Sequence, residues 1–163
     1  MRRSVGKSLR SQFDKRIKKE RQNIASIKGD MVPPGSRAYA FELSTGLLGV
    51  VVLVLDPKYD YFTLEFGWSD QNRFPGCYTS FKPAKPEASE HRIRLGFLIP
   101  ESRKDHWWEL QDFDKYPPHI EFPVEESLTR LGPALDEAFG MIKELGIPFL
   151  EEIARQKEEA KHL

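Results

Sequence analysis

His106 and Glu109 stand three residues apart, a spacing that presents two metal ligands on one face if residues 105–111 form a helical turn. The rest of a coordination sphere has no candidate. His91, His119 and His162 have no paired spacing with His106, and Cys77 is the only sulfur donor of thiol type. The reading is a surface or satisfied interior histidine, with no metal and no cofactor expected.

Glu42, Glu65, Glu101, Asp105 and Glu109 are carboxylates from which an acid and base pair for hydrolysis could be drawn. Ser44, Thr45, Ser69, Thr79 and Ser80, near strand ends, are the hydroxyl nucleophiles within reach of such chemistry, and none stands in a nucleophile-elbow sequence. Val5-Gly6-Lys7-Ser8 has the tail of a phosphate-binding loop. Met1 occupies the place of the earlier glycine and no strand precedes it, so a basic terminus is the better reading. No catalytic residue is assigned, although an unidentified carboxylate site in a hydrolase stays open as an alternative.

The elements that must carry these residues follow from periodicity. Leu9, Phe13, Ile17, Ile24 and Ile27 fall mostly on helical spacing among Lys and Arg and predict an amphipathic helix over 9–27, with residues 1–8 allowed to be disordered. Arg37–Ser44, Leu47–Leu55 and Tyr59–Trp68 predict three strands of an antiparallel meander, with a turn at Thr45-Gly46. In the third, Phe62, Leu64, Phe66 and Trp68 share one face and Tyr61, Thr63 and Glu65 the other.

Residues 69–90, with three prolines and many polar residues, predict a long loop. Arg92–Leu98 predicts a fourth strand with Ile93, Leu95 and Phe97 inward and Arg92 and Arg94 outward. Leu128, Leu131, Leu135, Ala138, Phe139 and Ile142 predict a C-terminal helix packed on the sheet, and Pro148 starts a further one. The expected fold is one α+β domain over 1–163: an antiparallel sheet of about four or five strands with N-terminal and C-terminal helices on one face.

The net charge of zero hides an asymmetry. Residues 1–30 hold ten Lys or Arg against Asp14, Glu20 and Asp30, whereas Glu101–Glu126 holds eight acids against Arg103, Lys104 and Lys115. A basic helix beside aromatic strands such as Tyr59–Trp68 admits nucleic-acid binding, but the acidic body opposes it. The longest apolar run, Leu47–Leu55, is too short to span a bilayer, and no export-type stretch follows Arg2 and Arg3, so a cytoplasmic, non-membrane protein is expected. An exposed helix face would also allow a homodimer.

Trp107 and Trp108 point about 100° apart in a helical reading, which buries both only where two surfaces meet and leaves either free to anchor an interface. With Glu109, Asp112 and Asp114 they form the candidate partner-binding residues. The sequence Asp105-His106-Trp107-Trp108, followed by a Leu-rich helix and Ile147-Pro148-Phe149-Leu150, resembles a small bacterial family of unknown function. That resemblance covers about residues 9–155 and rests on these two motifs; the excursion 69–90 departs from the pattern. It implies an accessory or immunity-like protein that binds another protein, and it carries no catalytic residues across; the acidic stretch Glu101–Glu126 would suit a basic partner such as a toxin.

Overall fold

The computed structural model describes every residue except 84, 103 and 118. A helix, α1 (Arg3–Ile17), precedes β1 (Ala25–Ile27), β2 (Arg37–Ser44), β3 (Leu47–Leu55), β4 (Tyr61–Ser69) and β5 (Glu90–Arg94). After β6 (Trp108–Glu109) come α2 (Val124–Met141), one π-helical turn at Ile142–Gly146, and α3 (Ile147–Ala160). The strands form an antiparallel sheet in the order β1-β2-β3-β4-β5, and β6 pairs with the start of β4 on the edge that β5 takes further along. This is the expected α+β fold.

β3 is buried on both faces, as the consecutive β-branched residues Val50, Val51 and Val52 require. Val51, Leu53 and Leu55 join Phe62, Leu64, Phe66 and Trp68 of β4 under the helices. Val50, Val52 and Val54 face the other way and are covered by Met31, Val32, Phe74 and Trp107 from connecting loops. The second face of the sheet is thus buried without any helix over it. Gly46 turns the chain between β2 and β3 with a φ of 80°, the conformation a glycine supplies without strain.

Several expectations shift. The fourth strand, expected over Arg92–Leu98, runs over Glu90–Arg94 and gives way to a 3-10 turn at Leu95–Phe97. The N-terminal helix begins at Arg3 and ends at Ile17, because its buried stripe is Val5, Leu9, Phe13 and Ile17 and the next positions on that face are polar. Asn23 then adopts a φ of 61°, and Ala25–Ile27 leave as an edge strand paired with Ala38–Ala40. Residues 1–8, read as a loose terminus, include the first turns of α1. Arg2 donates from its backbone N and its Nε to the two oxygens of fully buried Asp60, at 2.8 Å each. Burial pushes the Asp60 carboxyl up, but the bonds from Arg2 outweigh it and hold the group below its ordinary value.

In α2, Leu131, Leu135, Ala138 and Phe139 are buried as expected, whereas Leu128 is exposed. Ser127 takes the inward place, with its hydroxyl donating to the Leu110 carbonyl at 3.2 Å and accepting from Arg2 at 3.0 Å. At the π turn Gly146 lies against Phe66: a Cβ there would fall 2.1 Å from the ring. The lack of a side chain is what lets the helical layer touch the sheet at that point. Leu135, fully buried, anchors α2, and truncating it to alanine is expected to cost about 2–5 kcal/mol. An unchanged urea midpoint for Leu135→Ala would contradict the helix-on-sheet packing.

Candidate functional site

The segment 105–110 is extended, not a helical turn, so His106 and Glu109 diverge. His106 and Trp108 lie on the helical side, where Trp108 Nε1 donates to Glu137 Oε1 at 3.3 Å and His106 Nε2 lies 3.7 Å from the same carboxylate. Trp108 stacks on Phe62 with centroids 5.1 Å apart and belongs to the core. Glu109 sits on the opposite face beside its pairing partner Tyr61. No group of three or more His, Cys, Asp or Glu is placed to hold a metal among the described residues.

Trp107 is half-buried in the loop cover and does not line the cleft that Glu109, Asp112 and Asp114 share. Its ring lies 5.2 Å from the Arg94 guanidinium, and its Nε1 donates to Asp105 Oδ2 at 2.9 Å. Arg92 and Arg94, expected to face solvent, are drawn onto buried Glu65. Arg92 Nη2 donates to Glu65 Oε1 at 2.7 Å, and Arg94 Nε lies 3.1 Å from Glu65 Oε2. Alternation put them on the face away from the helices; the loop cover then buried that face. Gly67, opposite Arg92 in the register, leaves the space across which Arg92 lies, since a Cβ there would stand 3.1 Å from Arg92 Cγ. Phe74 closes over Arg92 with 4.9 Å from guanidinium to centroid.

The candidate nucleophiles and carboxylates do not assemble into a reacting group. Glu65 is committed to two arginines, Asp105 to Arg94 and Trp107, and Glu42, Glu101 and Glu109 are exposed on separate elements. Ser44 and Thr45 line an open cleft with Asp70, Glu87 and Lys157. Ser80 bridges β5 through its backbone, with its N–H donating to the Arg92 carbonyl at 2.7 Å. Ser69 donates to Glu90 Oε2 at 2.8 Å, which puts a carboxylate at the hydroxyl of this candidate nucleophile. Glu90 also accepts from Arg73 at 2.7 Å and from the Gly76 N–H at 3.2 Å, and these bonds, Arg73 foremost, pull its carboxyl from 4.5 to about 2. A carboxylate so stabilised is a weak base at neutral pH.

The Glu90 clasp has a consequence for acid stability. Its folded-state value is depressed, so its contribution is present above the ordinary carboxylate range and is lost as pH falls from about 4.5 toward 2. Arg73→Ala removes that contribution at pH 5. The gap in urea midpoint between wild type and Arg73→Ala is therefore expected to narrow between pH 5 and pH 2.5; a constant gap would show that Arg73 acts through packing alone.

The acidic residues gather around rings instead of around tryptophan. Tyr59 and Tyr61, at the entry to β4, lie with centroids 5.3 Å apart, and Phe113 packs edge-on to Tyr59 at 5.3 Å. Glu109, Asp112, Phe113, Asp114, Tyr61 and Arg130 line one cleft of about 350 Å³. Phe113 is 51% exposed. Glu109 and Asp114 have no ion pair among the described residues, and Asp112 has only Arg130 at 3.9 Å. Burial and then the Glu109 charge push the Tyr61 phenol up, so it stays neutral at physiological pH. Tyr59, Tyr61 and Phe113 were missed as site residues because Phe113 is remote in sequence from β4 and joins it only through the β4–β6 pairing.

No family model, no curated protein and no solved structure matches the chain. No helix is long and apolar enough to cross a membrane among the described residues.

Proposed function

We propose that this chain is a non-catalytic protein-binding protein that docks a basic protein partner on the Tyr59–Tyr61–Phe113 cluster and its rim of Glu109, Asp112 and Asp114. The observation that carries this reading is the half-exposed Phe113 ring beside Glu109 and Asp114, which have no ion pair among the described residues, and Asp112, which has only Arg130 at 3.9 Å. Exposed aromatics are an unfavourable surface for a monomer and are enriched where interfaces form, and unpaired carboxylates at the rim steer a cationic surface into place. A basic toxin neutralised by this chain as its immunity protein is the partner class that such chemistry fits.

The test is capture on immobilised chain from the native lysate, run with wild type and with the triple variant Glu109→Lys, Asp112→Lys, Asp114→Lys. A basic protein retained by wild type and lost by the variant supports the reading. Retention by both, or capture of no basic protein, rejects it.

A further inference from the structure

The helix α1 presents a cationic ridge to solvent. Arg3, Lys7, Ser11, Lys15 and Lys19 recur at four-residue intervals, and all five are exposed. Side chains so spaced stand in one row, about 6 Å apart and about 24 Å from end to end. Lys19 lies on the turn that continues the helix, with its N–H donating to the Arg16 carbonyl at 3.1 Å.

The carboxylates paired with this segment are held by its other cations. Asp60 and Glu121 hold Arg2, Asp136 holds Arg16, Asp14 holds Lys18 and Glu151 holds Arg21. Arg3, Lys7, Arg10, Lys15 and Lys19 have no ion pair among the described residues, and residues 3–13 contain no acid. Glu20, past the end of the helix, is the one acid of residues 1–21 besides Asp14.

Arg10 supplies an independent observation. Its guanidinium folds over Gly6, where a Cβ would stand 3.0 Å from Nη1, and donates to the Gly35 carbonyl at 3.3 Å. That brings it to exposed Arg37, whose own Nη1 donates to the Ser36 carbonyl at 2.9 Å. Burial and then the Arg37 charge push the Arg10 guanidinium down from its ordinary value. Two neighbouring guanidiniums without a carboxylate repel each other, and an anion between them relieves that repulsion. On the helix Arg10 follows Lys7 by three residues and Arg3 by seven, so this pair flanks the ridge.

We propose that this face of α1 binds the phosphate backbone of double-helical nucleic acid, with Arg3, Lys7, Lys15 and Lys19 as the row of contacts and Arg10 with Arg37 as a clamp beside it. The face offers donors throughout. Ser4, Lys7, Ser8, Ser11 and Gln12 line one shallow cleft of about 360 Å³, and hydroxyls and amides join Lys and Arg as partners of phosphate. It exposes no aromatic or other large apolar side chain, because Val5, Leu9, Phe13 and Ile17 are fully buried beneath it. A single strand needs rings on which to stack its bases, and a helix lying on a membrane needs an apolar face to insert. A duplex keeps its bases inside and presents a rigid series of phosphates to a helix that is already fixed. The carboxylates of the Phe113 cleft do not line this face: Glu109 pairs with Tyr61 on the side of the sheet away from the helices.

The probe is a fluorescein-labelled DNA duplex of about twenty base pairs and mixed sequence, titrated with the full chain by anisotropy between 50 and 200 mM salt. Four to five phosphate contacts give a slope of about −4 in log affinity against log salt, a loss of about 100- to 300-fold over that range. Lys7→Gln with Lys15→Gln is expected to flatten the slope by about 2 and to weaken binding at 50 mM salt about 10-fold or more. Arg37→Gln is expected to flatten it by about 1. Lys82→Gln with Lys85→Gln, the same change of charge on the loop between β4 and β5, is expected to leave affinity and slope as they are. All of these side chains are exposed, so the variants keep the fold, which circular dichroism checks. Absence of saturable binding at 50 mM salt overturns the proposal, as does an equal loss in the two double variants, which would make net charge the cause. So does tighter binding of an oligothymidine than of the duplex, which would assign the face to single strands. Binding of phosphatidylserine vesicles without binding of the duplex overturns it in favour of a lipid surface.

Discussion

Glu65→Ala is expected to lower the stability of the protein by about 3–5 kcal/mol, the cost of leaving a buried charge without its partner. Glu65 is 1% exposed and the Arg92 side chain 2%, so water cannot replace the missing carboxylate. Arg92 would keep only the Cys77 carbonyl, at 3.2 Å from its Nη1, and Arg94 only Asp105. Both guanidiniums would stay under Phe74, Trp107 and Phe81 with their charge uncompensated. Urea unfolding at neutral pH measures the loss. Glu65→Gln separates charge from shape: it keeps hydrogen-bond acceptance but not the negative charge, and is expected to fall between wild type and alanine. A Glu65→Ala midpoint equal to wild type would mean that the arginines find other partners and that the cluster does not hold the loop cover.

Reversing Glu109, Asp112 and Asp114 to lysine is expected to slow association with the captured basic partner about 10- to 100-fold at low salt, with little effect on dissociation. Glu109 and Asp114 are exposed, and among the described residues the patch has one ion pair, Arg130 at 3.9 Å from Asp112, with Lys58 on the Tyr59 ring and Lys115 next to Asp114 at its border. Exposed charges act through their long-range field, which salt screens, so the variant should also lose most of the salt dependence of the association rate. Phe113→Ala should do the reverse, leaving encounter unchanged and speeding dissociation, because a ring at an interface centre contributes after contact. Surface-binding kinetics at two salt concentrations read both effects. If the triple reversal leaves the association rate and its salt slope unchanged, these carboxylates are merely a solvated face.

The sheet and its helical layer were legible in the sequence because period and burial agree there. Phe62, Leu64, Phe66 and Trp68 alternate, Leu131, Leu135, Phe139 and Ile142 follow a helical stripe, and both sets pack together. What was not legible depends on contacts between distant segments. Arg92 and Arg94 alternate with apolar neighbours as solvent-facing residues do, and only the loop cover with Glu65 makes them interior. Trp107 and Trp108 look alike as a dipeptide, yet an extended backbone sends one to the core and the other to the loops. The basic run in α1 hid the end of the helix, since nothing local distinguishes Ile24 and Ile27 from further turns until Asn23 takes its positive φ.

The loop cover of the second sheet face divides labour within the molecule. Helices bury the larger apolar cluster and hold the fold, while the smaller one on the other face is closed by loop segments that add charge pairs, ring faces and single backbone bonds to the apolar contact. Segments of that kind can change length and composition without unpicking the core, as the variable loops of other scaffolds do. The surface proposed for a partner, around Phe113, belongs to such a segment. The exposed loop positions of this face can therefore vary while the strands, the helices and the Glu65 cluster that anchors the cover stay as they are.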